Sequence, residues 1–206
     1  MIIEKKLIRY NYSSRNGQAI LYIVIHDTGN KSKGANAEMH YKYFDMQKRK
    51  ASAHYFVDDT KIIQTVEETN AAWHVGDGKG KYGITNQNSI GVEICVNEDS
   101  DYSKAVENAI QLTKYLMQKH SISLERVVRH FDASRKICPA SMSADNWEEW
   151  KKFKNRIAEK ELTSEMAIQR LIEKGIILNR EYWIEQIKHV RHLDTLLIKI
   201  VKEFIK

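Results

Sequence analysis

Three scattered side chains of this sequence have the chemistry of zinc ligands. His26 ends the apolar run at residues 21–25, His130 ends the short predicted strand at 126–130, and Cys138 lies in the segment that follows. Two imidazoles and one thiolate bind Zn2+ well, and three protein ligands leave a fourth position for water. Zinc lowers the pKa of such a water toward neutrality, which turns the water into a nucleophile. These residue types therefore predict a hydrolytic zinc site.

Two charged residues suit the remaining tasks of hydrolysis. Glu93 lies on the polar face of an alternating run at residues 89–96, where it could take a proton from water and pass it to a leaving amine. Lys136 precedes Cys138 by two positions and could stabilise the negative charge of a tetrahedral intermediate. We therefore consider Glu93 and Lys136 candidate catalytic residues.

Each of these residues also has a purely structural interpretation. His26 suits a cap or a core position, and Cys138 suits a small buried apolar side chain. Glu93 and Lys136 would be ordinary surface or paired charges. The candidate ligands are far apart in sequence, and no HExxH-type motif ties them together. Their spacing alone therefore leaves both interpretations open.

Short apolar runs separated by turn formers predict the strands that carry these residues. Residues 27–30 (Asp-Thr-Gly-Asn) form a turn directly after His26, which places its imidazole at the rim of a sheet. Ligands and catalytic groups tend to lie at such rims. The other predicted strands are residues 53–57 and 62–66, which form a hairpin, then 71–75, 89–96 and 126–130.

Helical spacing of apolar residues predicts helices between and after these strands. Residues 37–48 follow the N-cap Asn36, and residues 102–120 carry a continuous apolar stripe. A further helix follows Asn146, and the segment 132–144 before it is predicted to be a loop. His40 lies on the stripe of the first helix, which indicates a core-facing position.

The composition changes at Lys160, beyond which only helical patterns remain. Thr163 and Asn179 cap two helices, and a third begins near Leu193. About 45 residues in three helices barely stabilise themselves. We therefore expect a catalytic domain at residues 1–160 and a helical module at 161–206 that packs on a neighbour, on a second copy or on a partner. The alternative is that these helices are an extra layer on the first domain.

Composition narrows the range of partners. The chain has 206 residues, 42% of them apolar and 29% charged, with a net charge of +6. This charge suits an anionic polymer such as that of a cell wall, whereas the absence of a long basic block argues against a nucleic acid partner. No apolar run is long enough to span a membrane. Cys95 and Cys138 do not make a disulfide framework.

Six short motifs in a fixed order resemble one enzyme family. They are Ile-Val-Ile-His-Asp-Thr-Gly-Asn at 23–30, Ser-Ala-His-Tyr-Phe-Val at 52–57, Ala-Trp-His-Val-Gly at 72–76, Asn-Ser-Ile-Gly-Val-Glu-Ile at 88–94, Arg-His-Phe-Asp at 129–132 and Lys-Ile-Cys-Pro at 136–139. This set resembles the zinc-dependent N-acetylmuramoyl-L-alanine amidases of type 2, which are related to peptidoglycan recognition proteins. It is most similar to phage and prophage endolysins, and it covers residues 20–158.

The resemblance implies a fold, a reaction and a set of site residues. The fold is α/β, with a mixed central β-sheet flanked by helices, and the reaction is hydrolysis of the amide between the lactyl group of muramic acid and L-alanine in peptidoglycan. The implied zinc ligands are His26, His130 and Cys138, and the implied catalytic residues are Glu93 and Lys136. The implied lining of the substrate groove is Trp73, His74, Asn88 and Asn97. The helical module at 161–206 resembles the short helical tails of phage amidases, which implies cell-wall binding or homodimerisation.

Two departures from the family pattern affect these expectations. Some members have aspartate in place of Cys138, which would change the softness of the metal site. Some phage members have a catalytic tyrosine at the position of Ala53, so here transition-state stabilisation would fall to Glu93 and Lys136. The residue after Ala53, His54, is expected to pack within the fold.

Two other functions compete with a wall-lytic enzyme. The first is a non-catalytic peptidoglycan-binding protein, but such proteins lose a zinc ligand, and all three ligand positions are kept here. The second is an intracellular amidase that recycles muropeptides. No signal peptide is recognisable, so we expect synthesis in the cytoplasm and release to the wall by a holin-type route.

Overall fold

The computed structural model describes residues 1–159 and 162–205. The chain forms two compact units, Met1–Ala158 and Glu159–Lys206. The predicted domain boundary between residues 160 and 161 lies outside the described residues. The division of labour between a catalytic domain and a wall-binding or dimerising module stays a prediction.

The first unit is built on a mixed six-stranded sheet. Its spatial order is β1-β5-β4-β7-β3-β8; the pair β4/β5 is antiparallel, and the other four pairs are parallel. Strands β2 and β6 form a separate antiparallel pair. The strands are β1 (Glu4–Lys5), β2 (Tyr12–Ser14), β3 (Tyr22–Asp27), β4 (Tyr55–Val57), β5 (Ile62–Gln64), β6 (Asn70–Ala72), β7 (Ser89–Ile94) and β8 (Val127–Arg129).

Seven helices accompany these strands in the described ranges. They are α1 (Ala37–Met46), α2 (Tyr102–His120), α3 (His130–Ser134), α4 (Ala144–Ala158), α5 (Ser164–Glu173), α6 (Arg180–His189) and α7 (Leu193–Phe204). None of the described helices is long and apolar enough to cross a membrane. Helices α1 to α4 belong to the first unit, where they flank the sheet, so the predicted mixed sheet between helices is confirmed.

One face of the sheet carries the main hydrophobic core. Alternating residues of β3 and β7, such as Ile25 and Val92, pack against Leu112 of α2 and Phe153 of α4. Strand β3 has buried residues on both faces, which is why its sequence is a continuous apolar run without alternation. This core fixes the two central strands and so fixes the side chains of their opposite face.

The opposite face carries the predicted site residues. His26 of β3 and Glu93 of β7 are direct partners in the parallel register, and Phe56 of β4 is the partner of Glu93 on its other side. Phe56 also packs with Ala37 of α1 and with Cys95, which has no exposed surface. Cys95 is therefore a core residue.

Three local predictions around His130 need correction. His130 is the first residue of α3 and does not end the preceding strand, because the Asp132 carboxylate accepts a hydrogen bond from the Arg129 backbone N–H and starts a helix. The segment 132–144 is consequently not all loop. Helix α4 begins at Ala144, ahead of the predicted cap Asn146, with left-handed backbone at residues 145–147.

The second unit is a small helical cluster. Thr163 and Asn179 cap α5 and α6 through their side-chain oxygens, and Gly175, at φ +67°, follows the end of α5. Leu171, Leu197 and Val201 are buried in a core shared by α5 and α7. The predicted helices of this segment are thus confirmed in type and order.

Candidate metal centre and active site

The three candidate ligands converge although 112 residues separate the first from the last in sequence. One donor atom from each of His26, His130 and Cys138 lies within 4.8 Å of the others, and all three side chains are buried. His26 Nδ1 is 3.8 Å from Cys138 Sγ. Ideal tetrahedral zinc bonds would hold such a nitrogen and sulfur about 3.6 Å apart. The geometry and the soft, nitrogen-rich donor set therefore fit a zinc-type metal.

A chain of hydrogen bonds determines which nitrogen of His26 is free. The Ser89 hydroxyl donates its only proton to the Thr85 carbonyl, so it must accept from His74 Nε2, 3.2 Å away. Burial holds the pKa of His74 well below its usual value, so the ring is neutral and its Nδ1 is an acceptor. His74 Nδ1 then accepts from His26 Nε2–H at 3.0 Å. This leaves the Nδ1 lone pair of His26 facing Cys138.

Close packing against the sheet makes this chain possible. The ring of His74 lies over Gly91 of β7, where an added Cβ would be 2.6 Å from His74 Cγ. Real side chains do not tolerate such a contact, so any other residue at position 91 would displace the imidazole. Gly91 is therefore a space-making residue beneath the buried histidine pair.

An equivalent arrangement orients His130. Its Nε2 donates to Asp77 Oδ1 at 2.8 Å, and Ser134 Oγ donates to the other carboxylate oxygen at 3.0 Å. The Nδ1 atom of His130 is thereby left with a free lone pair that could bind a metal ion. The loop that carries Asp77 approaches α3 closely, because a Cβ on Gly78 would overlap the carbonyl oxygen of Ala133.

Glu93 lies beside the ligands with one oxygen unpaired. Its Oε1 is 3.8 Å from His26 Nδ1, and its buried Oε2 has no hydrogen-bond partner. Burial raises the pKa of Glu93 to about 8; the nearby charge of Asp27 acts in the same direction, and Lys136 opposes it. A carboxyl group with such a pKa holds a proton near neutral pH and can release it, as a general acid and base must.

Cys138 and Lys136 differ in exposure. Burial, together with the negative charge of Glu93, raises the pKa of the Cys138 thiol to about 12, and Lys136 opposes this shift. A metal ion would reverse the balance, because thiolates bind metals as anions. Lys136 itself is exposed, with its charge close to the site. Its position therefore allows contact with a substrate.

A surface cleft borders the candidate metal centre. We call it the Trp73 cleft; it has a volume of about 510 Å3. It is lined by Lys50, Ala51, Trp73, His74, Gly76, Asp77, Asn86, His130 and Lys136. The Trp73 indole Nε1–H donates to Ser13 Oγ at 3.1 Å, which fixes the ring at the edge of the cleft. Of the four predicted groove residues, Trp73 and His74 line this cleft.

The other two predicted groove residues are engaged within their own turns. The side chain of Asn88 accepts from the Thr85 backbone N–H and donates to the Gly83 carbonyl. The amide nitrogen of Asn97 donates to Asp99 Oδ1 at 2.7 Å, and its oxygen is buried without a partner. Neither is among the residues lining the Trp73 cleft. Substrate contact by Asn88 and Asn97 stays a prediction.

Comparison with known proteins identifies the family of this chain. The sequence profile of the N-acetylmuramoyl-L-alanine amidase family matches residues 16–141, which include all three candidate ligands, Glu93 and Lys136. The chain belongs to this family. The matched residues all lie in the first unit, which also contains the buried His-His-Cys group.

Individual relatives agree with this amidase assignment. The chain is 41% identical over 147 residues to the amidase CwlH of Bacillus subtilis, covering 70% of this chain and 58% of CwlH. It is 43% identical over 141 residues to the amidase XlyA of the same organism, covering 68% of this chain and 46% of XlyA. The chain therefore spans about half the length of the curated relatives it matches.

Solved structures of related catalytic domains match about three quarters of this chain. The catalytic domain of XlyA superimposes with a TM-score of 0.67 and 40% identity, covering 76% of this chain and 99% of that domain. A mutant endolysin from Bacillus subtilis gives the same TM-score, identity and coverage. The predicted fold class is therefore confirmed by known members of the amidase family as well as by the sheet topology.

The structure also brings forward residues that sequence analysis missed. Asp77 bonds the candidate ligand His130. Ser89 bonds His74 and Gly91 makes room for its ring, and His74 in turn bonds the candidate ligand His26. Asp77 has a weak sequence signal, because it stands between two glycines in a loop that must approach another segment closely. Ser89 and Gly91 have none, since their partners lie in a different part of the chain.

Proposed function

We propose that this chain is a zinc hydrolase that cleaves the amide between the lactyl group of N-acetylmuramic acid and L-alanine in peptidoglycan. His26, His130 and Cys138 would hold the zinc ion, with both histidines binding through Nδ1. The observation that carries the proposal is the convergence of these donors beside Glu93, whose Oε2 is unpartnered. A binding protein without catalysis has no need of such a carboxyl group at the metal site.

The residues around the site divide the chemical work. A bound zinc ion supplies Lewis acidity for the carbonyl and for water. Glu93 takes up a proton as water attacks and delivers it to the departing amine nitrogen. Lys136 contributes positive charge where the carbonyl oxygen becomes negative. Asp77 and His74 keep the ligand rings in their binding orientation.

We also propose that the substrate is whole cell wall. The net charge of +6 suits an anionic wall polymer. One of the solved structures that this chain matches is named as an endolysin. Release by a holin-type route, and wall binding or homodimerisation by the C-terminal helices, belong to the same proposal. Tyr182 of α6 is 53% exposed, which leaves an aromatic ring available for a sugar.

Digestion of purified peptidoglycan with end-group analysis tests the amidase proposal. We expect new L-alanine amino termini without new reducing sugars, and loss of this product in the Glu93→Gln variant. New reducing ends would instead indicate a glycosidase and would refute the proposal. The zinc content of the purified protein, measured by plasma mass spectrometry, tests the metal separately. If the protein retains no zinc after incubation with about one equivalent of the metal, the assigned ligands are contradicted.

A further inference from the structure

Cys138, the third candidate ligand, lies on a stretch of chain with little regular structure. Residues 138–142, which we call the ligand turn, follow α3 and contain a single 3-10 turn at Ala140–Met142. The other two candidate ligands lie on regular elements, His26 on β3 and His130 on α3. Irregular segments are generally more mobile than the strands and helices beside them. The position of the sulfur therefore depends on contacts that hold the ligand turn from outside.

The backbone of β3 offers one such contact at Asp27. Tyr22 and Thr28 donate their backbone N–H groups toward β7, at 3.1 and 3.0 Å. Successive residues of a strand donate toward opposite edges, so the N–H of Asp27 points toward the side on which β8 lies. The pairing of β3 with β8 stops at Ile25 and Arg129, two residues before Asp27. The Asp27 N–H is therefore left for a group that is not part of the sheet.

That group is the thiol of Cys138. Burial and the charge of Glu93 raise the pKa of this thiol, whereas a hydrogen bond from the Asp27 backbone lowers it. A donor that faces sulfur favours its anionic form, which is the form that binds metals. The same contact keeps the sulfur beside the donor atoms of His26 and His130, which lie within 4.8 Å of it.

The side chain of Asp27 holds the ligand turn at a second point. Its Oδ2 accepts a hydrogen bond from the Ser141 backbone N–H at 2.7 Å. This N–H lies in the first turn of a 3-10 helix, which provides no acceptor for it. The hydroxyl groups of Ser141 and Tyr102 are hydrogen-bonded at 2.6 Å, and Met142 is buried in the main core. The turn is thus fixed to the sheet three residues after the ligand.

A third contact connects the ligand turn to the helix of His130. The Cys138 carbonyl accepts a hydrogen bond from the Phe131 backbone N–H at 3.1 Å. Phe131 directly follows His130, just as Asp27 directly follows His26. The residue after each histidine ligand therefore contacts the chain around the sulfur ligand. Of the two residues, Asp27 also uses its side chain, so its contribution can be tested by substitution.

We propose that Asp27 is a positioning residue of the metal site, which holds Cys138 as a sulfur ligand through its carboxylate contact with the ligand turn. This inference rests on the proposed zinc site. Besides burial, the charge of Asp27 also raises the pKa of the Cys138 thiol. That charge works against an anionic ligand, so the support that Asp27 gives comes from its hydrogen bonds and not from its charge.

Cobalt substitution makes a sulfur ligand visible. Zn2+ has a filled d shell and no absorption of its own, whereas Co2+ accepts the same tetrahedral donor sets and absorbs light. A thiolate bound to Co2+ adds an intense charge-transfer band in the near ultraviolet. The probe is Co2+ alone, added to the metal-free full-length protein. Competition with a chromogenic chelator gives the Kd for zinc on the same samples.

Two substitutions of Asp27 separate its hydrogen bond from its charge. Asp27→Ala removes the acceptor of the Ser141 N–H and keeps the backbone N–H, and Asp27 is only half-buried, so the sheet should still form. We expect this variant to lose most of the thiolate band and to raise the Kd for zinc about tenfold. Asp27→Asn keeps an oxygen that can accept the same bond but removes the charge. It should keep both the band and the wild-type Kd.

Asp45→Ala is the matched control. Asp45 Oδ1 on α1 likewise accepts a hydrogen bond from the backbone N–H of a distant segment, that of Arg9 at 2.8 Å. Its removal should leave the band and the Kd for zinc unchanged. A purely structural role for Asp27 would lower the stability of both alanine variants, measured by chemical denaturation, and would alter the cobalt spectrum of neither.

Two results would overturn the proposal. One is a full thiolate band with a wild-type Kd in Asp27→Ala. The other is an equal loss of the band in Asp27→Asn and Asp27→Ala, which would show that the charge matters and the hydrogen bond does not. If circular dichroism shows that Asp27→Ala does not fold, Asp27→Glu takes its place, because it keeps the charge but moves the carboxylate by one methylene. A full band in that variant would also overturn the proposal.

Failure of the zinc site itself gives a different result. If the wild-type protein shows no thiolate band with Co2+, Cys138 is not a ligand, and both the assigned ligand set and the role of Asp27 are wrong. If the wild type and every Asp27 variant show the same band, the ligand set stands and only the role of Asp27 is wrong. Release of L-alanine amino termini by the wild type tests the reaction independently of both.

Discussion

His26 and Glu93 face one another across the parallel strands β3 and β7, with Nδ1 of the histidine 3.8 Å from Oε1 of the glutamate. A candidate metal ligand and the candidate acid–base group are thus register partners on two adjacent strands of the sheet. Because neither residue depends on a loop for its position, the two can be tested separately by substitution without collapse of the site.

Glu93→Gln is expected to separate metal binding from catalysis. The amide has nearly the same shape but cannot transfer a proton, so zinc content should stay near wild type. Wall lysis should fall by at least about a hundredfold, measured as loss of turbidity of a wall suspension. Retention of lysis at more than a tenth of the wild-type rate would contradict the assigned role of Glu93.

Asp77→Ala is expected to weaken the metal site from its second layer. The substitution removes the acceptor that holds His130 Nε2 at 2.8 Å, so zinc affinity should fall about 10- to 100-fold. Competition with a chromogenic chelator measures it. Ser134→Ala is the matched control. It removes the bonds of Ser134 Oγ to Asp77 and to the Lys136 backbone N–H but keeps the bond between His130 and Asp77, so it should have a much smaller effect. Equal affinities in all three proteins would show that Asp77 does not orient the ligand.

Gly91→Ala should disturb His74 and, through it, His26. The new Cβ would lie 2.6 Å from His74 Cγ, and such overpacking costs about 1–3 kcal/mol of unfolding free energy. Zinc affinity should fall as well, because the ring that fixes the His26 tautomer is displaced. Gly76→Ala is the control, since its Cβ would meet Asn86 Nδ2 at an ordinary 3.5 Å. Chemical denaturation and chelator competition measure the two effects, and matching losses in both variants would contradict the assigned contact.

His54 should make the fold less stable as the pH falls. Burial, with Arg15 nearby, lowers the pKa of His54 to about 3, whereas an unfolded histidine has a value of about 6.5. Between these values the unfolded chain holds more protons, so the free energy of unfolding rises with pH by up to about 1.4 kcal/mol per unit for this group. The stabilisation is present above pH 6.5 and is lost as the pH falls toward 3.

The His54→Gln variant isolates this contribution. It should be less stable at pH 7, because His54 bonds the Gly91 N–H and the Asn70 carbonyl, but its stability should vary less steeply between pH 4 and 6. The other buried histidines are present in both proteins. Urea denaturation at several pH values gives the slopes, and identical slopes would show that His54 is protonated in the folded protein.

Leu197→Ala tests the core of the C-terminal unit. Leu197 is 3% exposed, and removing a buried leucine side chain costs about 2–5 kcal/mol. Its neighbour Leu196 is 53% exposed, so Leu196→Ala should cost no more than about 0.5 kcal/mol. Circular dichroism during denaturation measures the loss of helix. Similar effects of both substitutions would contradict the packing of α7.

The strand patterns were sufficient to predict where two of the candidate site residues, His26 and Glu93, lie on the sheet. Alternation in β7 places Glu93 on the face opposite the core, and the turn after His26 marks the end of β3. The pairing of His26 with Glu93 could not be predicted, because local periodicity does not state which strands are neighbours. The three candidate ligands were assigned from the order of the family motifs, because their spacing in the sequence does not distinguish a metal site from a structural role.

The residues behind the ligands show where local patterns stop being informative. His74 was predicted to line the substrate groove, but both of its ring nitrogens are bonded inside the protein, to His26 and Ser89. Its substrate role stays a prediction, and a positioning role is supported by those contacts. The start of α3 at His130 was missed because it depends on the Asp132 carboxylate reaching back to the Arg129 backbone.

The pairing of His26 with Glu93 across β3 and β7 has a consequence for how proteins of this fold can diversify. The distance between ligand and acid–base group is set by the spacing of hydrogen-bonded strands, which is nearly invariant in proteins at about 4.8 Å. Loops around the Trp73 cleft can therefore lengthen, shorten or change composition without altering the distance between His26 and Glu93. A change of substrate chemistry then requires only different loops on an unchanged central sheet.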